Sequence, residues 1–325
     1  MQAQSVDLKI PFTIQRWLLL GVTSIILYLS FLLTIFTPYP IVLAGVFYGR
    51  RPAYALLASA WVLMLFISYW MSDGLFLVSS FSLAMLFAAL IMEVVLRNKN
   101  PIRGVVMIGT SFLLLVGAVV GGATLTGVFQ PKEYLVQELQ KQKESYEVLQ
   151  KELLNSPESN SLEIAALLDQ PEVLATEFLK TAPIYLILAV FISLWVNTFM
   201  VLRSRRILYG GSYTKNGVTE ISLLRFRVPE YFVWAVIVGL VLVVFTSHIV
   251  LETLGMMILS GLGVFYFFQG FSIFLDFLSK WRIFGFFRLL IVMFSVVTAS
   301  WAFALIGLFD GFFDFRKFLK KENKN

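Results

Sequence analysis

Apolar residues run along this chain in long blocks, separated by short stretches that carry arginine, lysine or proline. The blocks fall near residues 17–36, 53–71, 75–96, 104–128, 182–203, 229–249, 252–279 and 284–308. Each is close to the length of a membrane span, because about 20 apolar residues in a helix cover about 30 Å of hydrocarbon. All should be helices, since a backbone in lipid must satisfy its own polar groups within the segment. One segment breaks the pattern. "PYPIVLAGVFYGRRP", residues 38–52, holds a half-length apolar run at 40–49 between two complete ones.

A polar insertion at 131–181 interrupts the blocks with five basic and ten acidic residues, which marks it as water-exposed. Within it Leu135, Leu139, Tyr146, Leu149 and Leu153 recur at three- and four-residue steps, with Gln142 in the one polar place. That spacing predicts a helix of about three heptads. "NSPESN" then reads as a turn, and a second helix or pair follows, at Leu162 to Leu168 and again from the start signal Pro171-Glu172. A helical hairpin is the plain reading of the insertion, and a dimer formed through a coiled coil over 132–154 is the alternative. The chain thus divides into a tail at 1–16, five helices at 17–130 counting the short one, the hairpin at 131–181, four helices at 182–308, and a basic tail at 309–325. The predicted fold is all-α, a polytopic transmembrane bundle of eight to nine membrane segments.

Composition agrees with this. Apolar residues make up 58% and charged residues 14%, too apolar a balance for a single soluble core. No small-residue cleavage site follows the first run, so it reads as a retained span. The absence of cysteine removes disulfides, thiolate metal sites and cysteine nucleophiles. The formal charge of +6 sits mostly at the ends of spans, which implies the lipid bilayer as partner and no nucleic acid.

Those charges also orient the chain. If the short segment crosses, Lys9 with Arg16, Arg50 with Arg51, Arg97 to Arg103, Arg203 to Arg227, and Lys280 to Arg288 all share one side. That side should be the cytoplasm, with the N-terminus inside and the hairpin outside. Nine crossings would then leave the basic tail "FRKFLKKENKN" outside: either the tail is an exception to the charge rule, or one of the glycine-rich late segments is re-entrant.

Candidate chemistry is sparse. Glu93 precedes Arg97, and Asp276 precedes Lys280, each by four residues, as interfacial ion pairs do. His248 and Glu252 lie together at the opposite boundary, without further metal-ligating residues at suitable spacing. Asn197 and Gln269 fall inside spans and need partners in the bundle. For Asn197 helix-to-helix glue ranks ahead of ligand contact; for Gln269, beside Gly270, the two readings are level. Gly117 and Gly121 form G-x-x-x-G, which predicts close packing of two helices. Tyr69, Trp70 and Asp73 close a helix end at a membrane boundary. No phosphate loop, nucleophile elbow or carboxylate pair is present, so neither a cofactor nor an enzyme is expected.

Three stretches, "RFRVPEYFVWAVIVGL" (225–240), "GVFYFFQGFSIFLDF" (263–277) and "LIGLFDGFFDFRK" (305–317), resemble the signature blocks of the YybS-like family of bacterial predicted membrane proteins, a domain of unknown function. That family is similar in turn to the substrate-binding S-components of energy-coupling-factor vitamin transporters, whose core has six helices and a short second helix turning at a corner into the third. The resemblance implies an S-component-like core ending near Arg203, a bacterial inner-membrane location, capture of a small organic solute such as a vitamin or precursor, and drive from a separate ATPase module. Pro38, Tyr39, Pro40 and the Tyr69 to Asp73 loop would form the rim of an outward-facing cavity. The first span lacks the paired alanines through which S-components dock, with only Gly21 and Ser24 as small residues. The rival expectation is a non-transporting scaffold or regulatory subunit that recruits partners through its hairpin and loops.

Overall fold

The computed structural model describes residues 13–30, 33–70, 74–153, 170–209, 223, 226–246 and 249–320. Among the described residues every regular element is helical: α1 Ile14–Leu29, a 3-10 turn Thr34–Phe36, α2 Pro38–Tyr48, α3 Arg50–Tyr69, α4 Gly74–Leu96, α5 Pro101–Leu125, α6 Pro131–Leu153, α7 Pro171–Tyr209, α8 Phe232–Phe245, α9 Ile249–Lys280, α10 Gly285–Phe313 and α11 Phe315–Lys320. Five of them, α3, α4, α5, α7 and α9, contain stretches long and apolar enough to cross a membrane. Helices α1, α2 and α8 are apolar but shorter, at 16, 11 and 14 residues. The chain forms two units, one of residues 1–110, 189–233 and 262–325, the other of 111–188 and 234–261.

In the first unit α1 to α4 pack on one another. Trp17, in the first turn of α1, donates its indole N–H to Pro52 O in the first turn of α3 at 2.9 Å. Tyr28, in the last turn of α1, donates to Leu77 O in the first turn of α4 at 2.8 Å. Helices α1 and α3 therefore run the same way, and residues 33–49 lie on the return between them. Helix α2 supplies only about 16 Å of that path. It begins part-way down, because Ser24, in the second half of α1, donates to Thr37 O at 2.8 Å. The short helix is therefore a half-span reached through irregular backbone. Seven of its eleven residues are buried, as expected of a helix apolar on all sides. Gly49 turns the chain into α3 at φ 86°, a backbone conformation that a side chain would strain.

The basic clusters gather at one end of this unit. Glu93 pairs with Arg97 at 2.7 Å and with Arg50 at 3.4 Å. Arg205 donates to Val95 O at 2.9 Å and to Asn98 Oδ1 at 3.1 Å. Phe191 meets Phe265, and one turn on Trp195 stacks on Phe268 at 4.2 Å between ring centroids. Successive turns matching successive turns make α7 and α9 parallel here, which carries Lys280 to the same end as Arg205.

Helix α10 has 29 residues and would be about 43 Å long if straight. Yet Arg288 near its start donates to Leu275 O at 3.4 Å, while Arg316 just past its end donates to Ser272 Oγ at 3.2 Å. Both ends thus meet α9 within one turn. The helix is bent by 86° beside Thr298, and Ala299 leaves helical geometry at φ −132°, ψ 31°. It goes in and comes back, so α11 opens the basic tail at the end of the unit that carries Lys280. A bent late helix of this kind is one of the two arrangements under which the basic tail fits the charge pattern.

The second unit holds α6, the heptad helix expected at 131–153. The start signal at Pro171 also holds, but that helix does not stop: α7 continues unbroken for 39 residues with Pro183 inside. The turn "NSPESN" and the helix expected at 162–168 lie outside the described residues. Helices α8 and α9 cross closely at glycines, where a Cβ added to Gly255 would lie 2.8 Å from Gly239 O. The packing expected at Gly117 and Gly121 is corrected: a Cβ at either meets nothing within 4 Å. G-x-x-x-G permits a close approach without supplying the partner helix.

Candidate functional site

The proline turn before α2 leaves carbonyls without backbone donors, because neither Pro38 nor Pro40 has an N–H. Asn197 supplies the deficit. Its fully buried amide donates to Ile35 O at 2.7 Å and to Ser193 O one turn back at 2.8 Å. Thr34 Oγ1 donates to Tyr28 O at 2.9 Å, and Tyr39 OH pairs with Ser204 Oγ at 2.8 Å. Thr37 stands at the N-cap, yet its hydroxyl caps nothing, since the N3 residue is Pro40. Irregular backbone inside a bundle survives only when protein groups satisfy it. Asn197 thus ties α7 to the proline turn through Nδ2.

Pro38 and Pro40 are buried, close to the Ser24–Thr37 hydrogen bond. Tyr39 and Pro40 do line an open hollow of about 320 Å³, together with Leu20, Thr23 and Leu27 of α1, Phe36, and Met200 of α7. The single polar side chain besides Tyr39 is Thr23, and its hydroxyl already donates to Leu19 O at 2.7 Å. Tyr69 and Trp70, expected beside these residues, are exposed and meet each other edge-to-face at 6.2 Å, away from the hollow's lining. Asp73 and His248 lie outside the described residues. The two small residues of α1 face inward. A Cβ on Gly21 would lie 2.8 Å from Leu56 Cδ1, and Ser24 is committed to Thr37.

A second polar constellation forms around Gln269, which is 2% exposed. Its Oε1 accepts the Val228 N–H at 2.7 Å, and its Nε2 donates to Asp310 Oδ2 at 3.0 Å. Arg227 and Arg316 each bring Nε to 3.9 Å from the same oxygen. Arg316 also donates to Phe226 O at 3.0 Å. Asp314, in left-handed geometry at the end of α10, accepts from Arg227 and, at 2.9 Å, from Lys317. The hydrogen bond from Lys317 is the main reason the Asp314 carboxyl sits below its ordinary value; desolvation opposes this and Arg227 adds to it. Burial pushes the Arg316 guanidinium down, against the charge of Asp310.

Close packing holds this constellation together. A Cβ on Gly270 would overlap Phe303 O, and one on Gly307 would overlap Tyr266 O, so α9 and α10 touch backbone to backbone. Phe303 fits among Phe267, Phe271 and Phe274, at centroid distances of 5.7, 5.8 and 5.0 Å. Gln269 was recognisable as a buried polar residue, whereas Arg227, Asp310, Asp314 and Arg316 were not singled out. Asp310 and Asp314, four residues apart in an apolar run, were the available signal. The constellation draws on all three stretches 225–240, 263–277 and 305–317. Residues 17–311 match the family described as "Predicted membrane protein (DUF2232)". The chain belongs to that family. It is an integral membrane protein with several apolar helices. No curated protein and no solved structure matches it.

Proposed function

We propose that this chain is a non-enzymatic binding protein of the bacterial inner membrane, which captures a small organic molecule by its apolar part in the hollow beside Tyr39 and Pro40. The observation that supports this is the hollow itself, about 320 Å³ and lined by α1, the proline turn and α7. Its volume falls within the range of small-molecule sites, and its walls are apolar and aromatic. A ring or hydrocarbon chain suits these walls better than a polar solute, whose groups would lose their hydrogen bonds to water. The basic end of the first unit faces the cytoplasm on this reading. Docking through small residues on α1, as S-components dock, is not carried over, because Gly21 and Ser24 are occupied internally.

The test is mass spectrometry of small molecules that copurify from native membranes with wild type and with Leu20→Trp, which fills the hollow. A species kept by wild type and lost by the variant, at equal thermal stability, supports capture. If wild type carries none and thermal shifts against apolar vitamins and their precursors stay flat, the reading falls. The scaffold reading remains the second, favoured by the openness of the hollow, which also fits a side chain of a partner's membrane helix. In that case Leu20→Trp loses a copurifying membrane subunit and no small molecule changes.

A further inference from the structure

We propose that the corner between α10 and α11 binds the phosphate headgroup of an anionic phospholipid. This does not depend on what the hollow holds. Because α10 returns, its last turns and the start of α11 come to the basic end of the first unit. Phe309, Phe312 and Phe313 are 46%, 65% and 61% exposed there, an apolar edge suited to acyl chains. Beside them stand two accessible cations: the side chain of Arg227 is 50% exposed and that of Lys317 is 80% exposed. Arg316 and Asp310, at 11% and 0%, face inward and hold the corner in place.

Arg316 is engaged by Asp310, with Asp276 and Asp314 adding to the field upon it, which leaves Arg227 and Lys317 as the outward-facing cations of the corner. Asp314 occupies one donor of Arg227 and one of Lys317. A guanidinium has five N–H donors and an ammonium three, so both keep donors for a second anion. A headgroup phosphate therefore fits beside Asp314 and competes with it. The adjacent phenylalanines favour a phosphate that carries acyl chains over a free one, and anionic headgroups concentrate such phosphates at the membrane surface.

The competition yields opposed variants. The full-length protein is placed in nanodiscs containing phosphatidylglycerol and phosphatidylcholine, and the retained lipid is counted by native mass spectrometry. Lys317→Gln is expected to lower retention of phosphatidylglycerol about fivefold, as loss of one cation at a lipid surface should. Asp314→Asn is expected to raise it. Glu177→Gln, the same charge change on an exposed part of α7, is expected to change nothing. Inorganic phosphate added to phosphatidylcholine nanodiscs should not stabilise the protein. The proposal is overturned if wild type shows no preference for phosphatidylglycerol, if Lys317→Gln retains it fully, if Glu177→Gln matches Asp314→Asn, or if free phosphate serves equally. Lys317 is largely exposed, so that arm stands even if Asp314→Asn fails to fold.

Discussion

The proline turn before α2 and the corner after α10 pose one problem, and the molecule solves it twice with different chemistry. Each belongs to a segment that enters the bundle without crossing it as a straight helix. The proline turn is buried beside the second half of α1, and neutral groups hold it: Asn197, Ser24 and Thr34 donate to backbone carbonyls. The α10 corner reaches an exposed edge, and ions hold it: Arg227, Arg316 and Lys317 about Asp310 and Asp314. A missing backbone donor in an apolar interior is replaced at least cost by an amide or hydroxyl, since a charge there carries a large desolvation penalty. At the corner Arg227, Lys317 and Asp314 reach the surface, while the buried Asp310 is met by Gln269, Arg227 and Arg316, so that its charge is partnered. The contrast shows that position in the bundle, more than local sequence, selects the chemistry of each irregular segment.

The largest expected effect separates packing in these regions from packing in α5. Gly270→Leu or Gly307→Leu forces a side chain into the facing backbone and should abolish folded protein, judged by monodispersity in detergent. Gly121→Leu meets open space and should leave the protein folded, within about 0.5 kcal/mol of wild type. Equal damage at all three positions would mean that α5 also has a close partner.

All-or-none labelling tests whether α10 returns. Single cysteines at Arg51 and Lys317, in this cysteine-free chain, should react alike with an impermeant thiol reagent, both protected in intact cells and both labelled in opened ones. If one is protected while the other is labelled, α10 crosses the membrane.

A smaller loss is expected at the proline turn. Asn197→Leu leaves Ile35 O and Ser193 O without their side-chain donor and should destabilise by about 1–2 kcal/mol in denaturant titration. No measurable change would show that water replaces the amide.

The smallest effect distinguishes the two chemistries by pH. The Asp314 carboxyl lies below its ordinary 3.8 when folded, so its stabilising contribution is complete above that value and fades as pH falls through the folded value. Thermal stability of wild type should therefore decline below about pH 4, and that of Asp314→Asn should decline less. The contribution of Asn197, which does not titrate, should be the same at pH 4 and pH 7. Parallel acid profiles for wild type and Asp314→Asn would remove Asp314 from the account.

What the sequence determined by itself was periodicity and charge. Apolar runs located the helices because hydrocarbon accepts few other structures, and the lysine and arginine clusters placed Arg16, Arg50, Arg97 and Arg205 at one end. The same charges signalled that the basic tail was out of place if every segment crossed. Leu135 to Leu153 disclosed α6 through their spacing. Only the tertiary structure decided which small and polar residues meet. Gly117 with Gly121 looked like the packing motif, but close approach needs a second helix opposite, and Gly270 met one in Gly307 from 37 residues along the chain. Gln269 announced itself as polar in an apolar run, yet its partners Val228 and Asp310 lie 41 residues away in either direction. The prolines at 38 and 40 showed that a helix begins there, and nothing in their own neighbourhood gave its depth. Depth followed from Ser24 and Asn197, because a carbonyl stripped of its backbone donor binds whichever donor the packing of distant helices brings within reach.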